Sequence, residues 1–267
     1  MKKYFLPLVA LLILSSGCKK DELPTVQNPE EVYLIDKVYD YHDNLAAEYI
    51  YDEQNRLIQR KTTDAVNQRS SDYFLEYGEK GLSKIIYKDY NMPVFDHEIS
   101  LIYNAEGKVH REETYQRGNM ISYVNYAFDS KGRVVSFYKD DNKHYFFLNY
   151  DANGSVVSSK YIIDVSNDPF YEGKDTIEVH RYFKYDDKKT PNVNLPALMQ
   201  FEILPYFGTE AREEKGLSAH NMTEFVNSTK WIYTYNEVGL PLTIETKWKD
   251  IITDEPMVLR FTYKKVE

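Results

Sequence analysis

Seven times along the chain an aromatic residue closes a strand-like run and a tight-turn signal follows it. The aromatics are Tyr51, Tyr77, Tyr103, Phe128, Tyr150, Tyr185 and Tyr235. The next residue is Asp52, Gly78, Asn104, Asp129, Asp151, Asp186 or Asn236, and the fourth is Asn55, Gly81, Gly107, Gly132, Gly154, Lys189 or Gly239. Asp or Asn opens a type I turn by capping nearby amides, and Gly in the left-handed region closes it as a bulge. The spacing therefore predicts a three-residue hairpin loop at each copy. In this register Asp52 faces Arg56, Asn104 faces Lys108 and Asp129 faces Arg133. Such cross-strand pairs are worth about 0.2–1 kcal/mol each.

The same register sets Tyr51 opposite Leu57, Tyr103 opposite Val109, Phe128 opposite Val134 and Tyr150 opposite Val156. Tyr49, Leu75, Leu101, Tyr126, Leu148 and Tyr233 share that face. Burying each of these apolar side chains is worth about 1.5–3 kcal/mol. One hairpin alone is not stable in water, so the copies must pair side by side. By subtraction of residue numbers the copies lie 26, 26, 25, 22, 35 and 50 residues apart, so the last two gaps carry insertions. Lys189-Thr190-Pro191 replaces the closing Gly of the sixth copy and is predicted to open that hairpin into a loop. Extra turn signals at 64–71, 91–93, 117–119 and 140–142 link one repeat to the next in an up-and-down meander.

About sixteen strands are predicted over 32–267, in a single all-β domain with an irregular insertion at 186–227. Leu195–Leu204 within it reads equally as a short helix or a buried strand. The sheet is expected to be strongly curved or closed into a water-soluble barrel. Arg60, Lys84 and Glu112 interrupt the mixed face, and Ser83, Arg111 and Glu113 the other, so neither face reads as a clean lipid-facing band.

Residues 1–17 read as a secretory leader: Lys2 and Lys3, an apolar run from Leu6 to Leu14, then Ser15-Ser16-Gly17. That run is too short to span a bilayer. Cys18 is the single cysteine of the chain, so neither an internal disulfide nor a Cys-based zinc site is expected. Residues 18–31 read as a tether. The formal net charge of −9 disfavours a nucleic-acid partner.

Leu14-Ser15-Ser16-Gly17-Cys18 resembles the bacterial lipobox, which implies that Cys18 carries the lipid anchor and becomes the mature N-terminus. Lys19-Lys20-Asp21-Glu22 is similar to the signal that sends lipoproteins of Bacteroidetes-type bacteria to the outer face of the outer membrane. The hairpin copies resemble the YD (Tyr-Asp) repeats of bacterial surface and toxin-shell proteins, on Tyr51-Asp52, Phe128-Asp129, Tyr150-Asp151 and Tyr185-Asp186. Residues 185–191, 217–221 and 233–241 are similar to a Bacteroidetes-type lipoprotein family of unknown function, which implies a porin-like fold. The shared motifs are turn motifs, so they specify the fold and leave function open.

No catalytic constellation, cofactor or metal is expected. The six histidines share no close spacing, and Asp151-Ala152-Asn153-Gly154 reads as a turn, without the later acids of a calcium loop. Asp175-Thr176-Ile177 fits the short O-glycosylation motif of these bacteria, a match that arises often by chance. Tyr206, Phe207, Trp231 and Trp248 are the candidate ligand-binding residues, as a groove lidded by the insertion. Three functions stay open at this point: a surface-anchored binding module for a glycan or peptide, a scaffold for an outer-membrane protein partner, and an extracellular polymer hydrolase.

Overall fold

The computed structural model describes residues 31–63, 68–140, 143–166, 170, 173–191, 194–195, 211–249 and 257–266. The strands are β1 (Tyr33–Tyr39), β2 (Leu45–Tyr51), β3 (Leu57–Thr63), β4 (Arg69–Gly78), β5 (Gly81–Asp89), β6 (His97–Tyr103), β7 (Val109–Gln116) and β8 (Asn119–Phe128). They continue as β9 (Val134–Lys139), β10 (His144–Tyr150), β11 (Val156–Asp164), β12 (Thr176–Lys189), β13 (His220–Phe225), β14 (Thr229–Tyr235), β15 (Pro241–Trp248) and β16 (Met257–Lys265). Each pairs antiparallel with its neighbours in sequence, and β1 pairs with β16 to close a barrel of these sixteen strands. No open sheet edge remains among the paired strands, which removes the edge as a template for aggregation.

The turns form as the spacing predicts. Asp52 Oδ1 accepts from the amides of Gln54 and Arg56, at 3.0 and 2.9 Å. Asn104, Asp129, Asp151 and Asn236 repeat that geometry. Asp52 and Asp129 also pair with Arg56 and Arg133, each at 2.7 Å. Gly107, Gly132, Gly154 and Gly239 have φ near +80°, and Asn55 takes the same region at +57°. Two turns depart from expectation. Gly78 pairs with Gly81, so Tyr77 sits opposite Leu82 across a two-residue loop. An eighth copy begins at Tyr39, where Asp40 caps His42 and Asn44 and Asp43 supplies the left-handed residue.

A register shift lies beside each of these aromatics, between Ile50 and Tyr51 for example. That bulge flips the alternation of the strand beyond the turn. Tyr49 therefore faces Arg60, and Leu101 faces Glu112, so Arg60 and Glu112 point into the barrel and not onto its outer face. The water-facing reading of the exterior rests instead on other charges. Lys37, Glu48 and Lys61 form a row across three strands, Lys84 pairs with Glu98, Lys160 with Glu178 and Lys184 with Glu224. A cation at the centre of a lipid-facing wall costs about 2–4 kcal/mol. The outer wall carries these ion pairs beside exposed apolar side chains such as Phe147, Tyr182 and Ile232.

The apolar side chains turn inward and form one contiguous cluster through the lumen. A round sixteen-stranded barrel is wide enough for an aqueous channel, but here the lumen is packed. Phe137 stacks on Phe146 at 4.4 Å between centroids and 10° between planes, and Phe146 continues to Tyr161 at 5.3 Å. Tyr126 flanks Phe137, and Leu75, Leu101, Leu148 and Ile244 are buried in the same cluster.

The anchoring tyrosines also tie one hairpin to the next. Tyr77 donates to the Leu57 carbonyl, Tyr103 to Leu82, Tyr150 to Val134, Tyr185 to Val156 and Tyr263 to Pro241, at 2.6–2.8 Å. The ring stays in the apolar layer while the hydroxyl finds a backbone acceptor, which is why Tyr outnumbers Phe at this position. Burial pushes the Tyr77 and Tyr150 hydroxyls up to about 12, so they remain protonated donors. Phe128 occupies the same position without a hydroxyl, opposite the corresponding carbonyl of Val109. Phe128→Tyr is expected to stabilise the barrel by about 1 kcal/mol, or about 2–4 °C in melting temperature. An unchanged thermal midpoint would mean that the hydroxyl ladder contributes nothing.

Of residues 186–227, the first four extend β12, and 220–225 form β13. Residues 190–219 thus connect β12 to β13 where five residues or fewer connect the other strand pairs on this rim. Most of Leu195–Leu204, together with Tyr206 and Phe207, lies outside the described residues. The last part holds a short helix, α1 (Arg212–Gly216).

Candidate functional site

The even-numbered strands end on one rim of the barrel, where the Tyr-Asp turns gather. This is the near rim. Asp and Asn hold each turn tight, so the ring at the strand end leans over the lumen beneath it. Four successive anchors, Tyr77, Tyr103, Phe128 and Tyr150, line a cavity of about 660 Å³ just inside. Leu82, Val109 and Val134 complete its wall. Leu217, which follows α1, contributes from the insertion. The size lies within the range of small-molecule sites.

Basic residues overhang these rings. Arg56 lies over Tyr77 at 4.6 Å from its centroid, Arg133 over Tyr150 at 4.5 Å and Lys108 over Phe128 at 5.6 Å. Each is the residue that follows the left-handed position of one turn, and it reaches the aromatic of the next hairpin. Repeat spacing therefore builds a row of cation–π contacts along the mouth. Gly78, Gly81, Gly107 and Gly132 keep the lip open between them.

The insertion is fastened below the mouth by buried polar contacts. Ser218 Oγ donates to the Glu214 carbonyl at 2.6 Å and accepts from the Val156 amide at 3.0 Å. The Ala219 amide donates to the Gly154 carbonyl at 3.2 Å. Glu214 is buried; its Oε1 accepts from Ser159 at 2.6 Å and stands 3.7 Å from Arg181. Burial pushes its carboxyl up, the neighbouring Glu213 adds to that, and Ser159 and Arg181 pull against it. Glu213 is partly buried, yet the ion pair with Lys139 holds its carboxyl below the usual range. Lys215 lies over the Trp231 ring at 3.6 Å. The helix thus reaches from the near rim into the lumen and packs against its wall.

Of the residues that the sequence singled out, the structure describes Trp231 and Trp248, which lie two positions apart on one face of the β14–β15 ladder and outside the lining of the main cavity. Trp231 is 4% exposed and covered by Lys215. Trp248 pairs with Thr229 at the opposite rim, beside a smaller cavity of about 360 Å³ formed with Phe225, Lys230 and Lys247. The residues that line the main cavity are the repeat anchors themselves. Their signal was the basic residue after each turn, which reads in one dimension as a partner for Asp alone.

One serine approaches a histidine. Ser155 Oγ is 3.0 Å from His220 Nδ1, but Ser155 is fully buried and its amide braces the Asp151 turn. A nucleophile needs access to substrate, so this pair acts as a clip between the insertion and the wall. Among the described residues no three His, Cys, Asp or Glu side chains gather as a metal site would require.

No protein-family model matches the chain, and no curated protein is similar to it in sequence. Solved structures are similar. A porin-like protein from Bacteroides uniformis superposes with a TM-score of 0.50 at 12% identity, over 90% of this chain and 94% of that one. At that identity the likeness is one of fold. A porin-like protein from Bacteroides vulgatus covers 87% of this chain and 99% of its own at 12% identity, but its TM-score of 0.40 carries no argument. The same holds for the Photorhabdus luminescens Tc holotoxin pore, at 0.29 and 12% identity over 79% of this chain and 12% of that one. The shared architecture is a porin-like barrel. The filled lumen and charged exterior described above are features of this chain.

Proposed function

We propose that this protein is a lipid-anchored lipoprotein of the outer membrane, facing the cell exterior, whose barrel is a non-catalytic ligand-binding module. The cavity beneath the near-rim turns carries the binding part of the reading. It combines drug-like size, aromatic and aliphatic walls, and polar groups confined to the mouth. The ion pairs on the outer wall support a barrel held beside the membrane and not within it. The lipobox-like Leu14–Cys18 and the Lys19-Lys20-Asp21-Glu22 stretch support the anchor and its destination. Neither nucleic acid nor a cofactor enters this reading.

Binding is tested by titrating the purified protein with N-phenyl-1-naphthylamine, a neutral probe that fluoresces in apolar sites. Saturable binding is expected, and Leu217→Trp, which fills the cavity with an indole, should abolish it while the thermal midpoint holds. Binding that survives Leu217→Trp would remove the cavity as the site. The anchor is tested separately. Cys18→Ser should abolish incorporation of labelled palmitate and release the protein from the membrane fraction, and continued labelling would sink the lipoprotein reading.

A further inference from the structure

The charge around the cavity is one-sided. Arg56, Lys80, Lys108 and Arg133 line it against Glu79 alone, in a chain whose net charge is −9. The carboxylates that brace the two arginines stand outside the lining, and their oxygens are engaged. Asp52 Oδ1 accepts two backbone amides and its Oδ2 takes Arg56 Nε at 2.7 Å. Asp129 does the same, with Arg133 Nε at 2.8 Å. These contacts use Nε and Nη2 of each guanidinium. They leave Nη1 of Arg56, Nη1 of Arg133 and Nζ of Lys80 without a protein partner among the described residues. Lys108 has one ion pair, with Glu106 at 3.5 Å on the exposed side of its turn. The mouth thus holds fixed cations with N–H donors to spare, above a floor that offers only apolar surface and rings. Asp52 and Asp129 hold the two guanidinium planes in place, so little rotamer freedom is lost when they bind.

We infer that the near-rim cavity takes an amphiphilic organic anion. Its apolar body lies among Tyr77, Tyr103, Phe128 and Tyr150, and its carboxylate, sulfate or phosphate head meets Arg56, Lys80, Lys108 and Arg133. This rests on the cavity being the binding site. A neutral ligand of the same body fills the pocket but leaves the spare donors to water. An anion adds charge-assisted hydrogen bonds and loses little, because the partially exposed cations are not desolvated for it. A cationic ligand meets like charge at the mouth.

The test uses two probes that share a phenylnaphthylamine body, N-phenyl-1-naphthylamine and 1-anilinonaphthalene-8-sulfonate. The full-length protein is expected to bind the sulfonate about tenfold more tightly, the equivalent of one charge-assisted hydrogen bond. Raising ionic strength should shrink that ratio. Arg56→Gln with Arg133→Gln should weaken the sulfonate more than the neutral probe. Because those arginines also brace their turns, Lys80→Gln with Lys108→Gln provides a second variant that keeps both Asp–Arg pairs, and it should move the ratio in the same direction. Equal affinity for the two probes, unmoved by either variant, would overturn the anion assignment while leaving the cavity as a site. Failure of both probes to bind would overturn the cavity reading and this inference with it.

Discussion

Phe137→Ala is expected to destabilise the barrel by about 3–5 kcal/mol, among the largest losses a single truncation produces. Phe137 is 4% exposed, stacks on Phe146 and touches Tyr126, so removing its ring opens a void in the buried cluster. The walls of a closed barrel cannot collapse to fill such a void, because hydrogen-bonded neighbours hold every strand on both sides. The cavity penalty therefore adds in full to the lost transfer energy. Urea unfolding reads the loss as a lower midpoint at unchanged slope. Tyr138 is the control. It sits one residue on, on the outer wall beside Tyr145, and its replacement by Ala should cost far less. Equal losses at the two positions would refute the bulge-shifted register that turns Phe137 inward.

Arg181→Met is expected to cost about 3 kcal/mol, because it leaves a buried carboxylate without its cation. Arg181 stands 3.7 Å from Glu214, donates to the Tyr161 hydroxyl at 3.0 Å and lies over the same ring at 4.6 Å. Adding Glu214→Gln should restore most of the loss. A double variant as unstable as Arg181→Met alone would show that the contact with Tyr161, and not the charge, was responsible.

The two glutamates of α1 should also give opposite pH slopes. Burial raises the Glu214 carboxyl above its ordinary value of 4.5, so the folded state binds that proton more tightly than the unfolded chain does. Its contribution is complete below the unfolded value and is lost as pH rises through the folded one. Burial also works on Glu213, but Lys139 overcomes it and the carboxyl is lowered. Its contribution is present above the unfolded value and is lost as pH falls through the folded one. Unfolding from about pH 4 to about pH 8 should therefore show the advantage of Glu214→Gln growing with pH. The deficit of Glu213→Gln should fade toward acid. Parallel slopes for the two variants would contradict the assignment of Lys139 to one carboxyl and of burial to the other.

The hairpin register was legible because a turn is a local object. Asp or Asn, the left-handed residue and the flanking aromatic lie within five positions, and their hydrogen bonds need nothing from the rest of the chain. The copy at Tyr39 escaped because Asp43 fills the left-handed slot that Gly usually marks. The two-residue loop at Gly78–Gly81 escaped because its spacing matches the longer one.

What the sequence by itself determined was an all-β meander of about sixteen antiparallel strands and which aromatics anchor it, since both follow from local turn chemistry and alternation. Only the tertiary structure decided three further things. Closure depends on β1 meeting β16, a pairing of residues such as Tyr33 and Lys265 that no local signal encodes. The facing of Arg60 and Glu112 depends on a bulge whose extra residue is invisible until both strands are paired. The cavity depends on neighbouring hairpins, because Arg56, Lys108 and Arg133 each overhang a ring that belongs to the next repeat. A repeat specifies its own turn. The surface it presents to a ligand exists only once adjacent copies stand side by side.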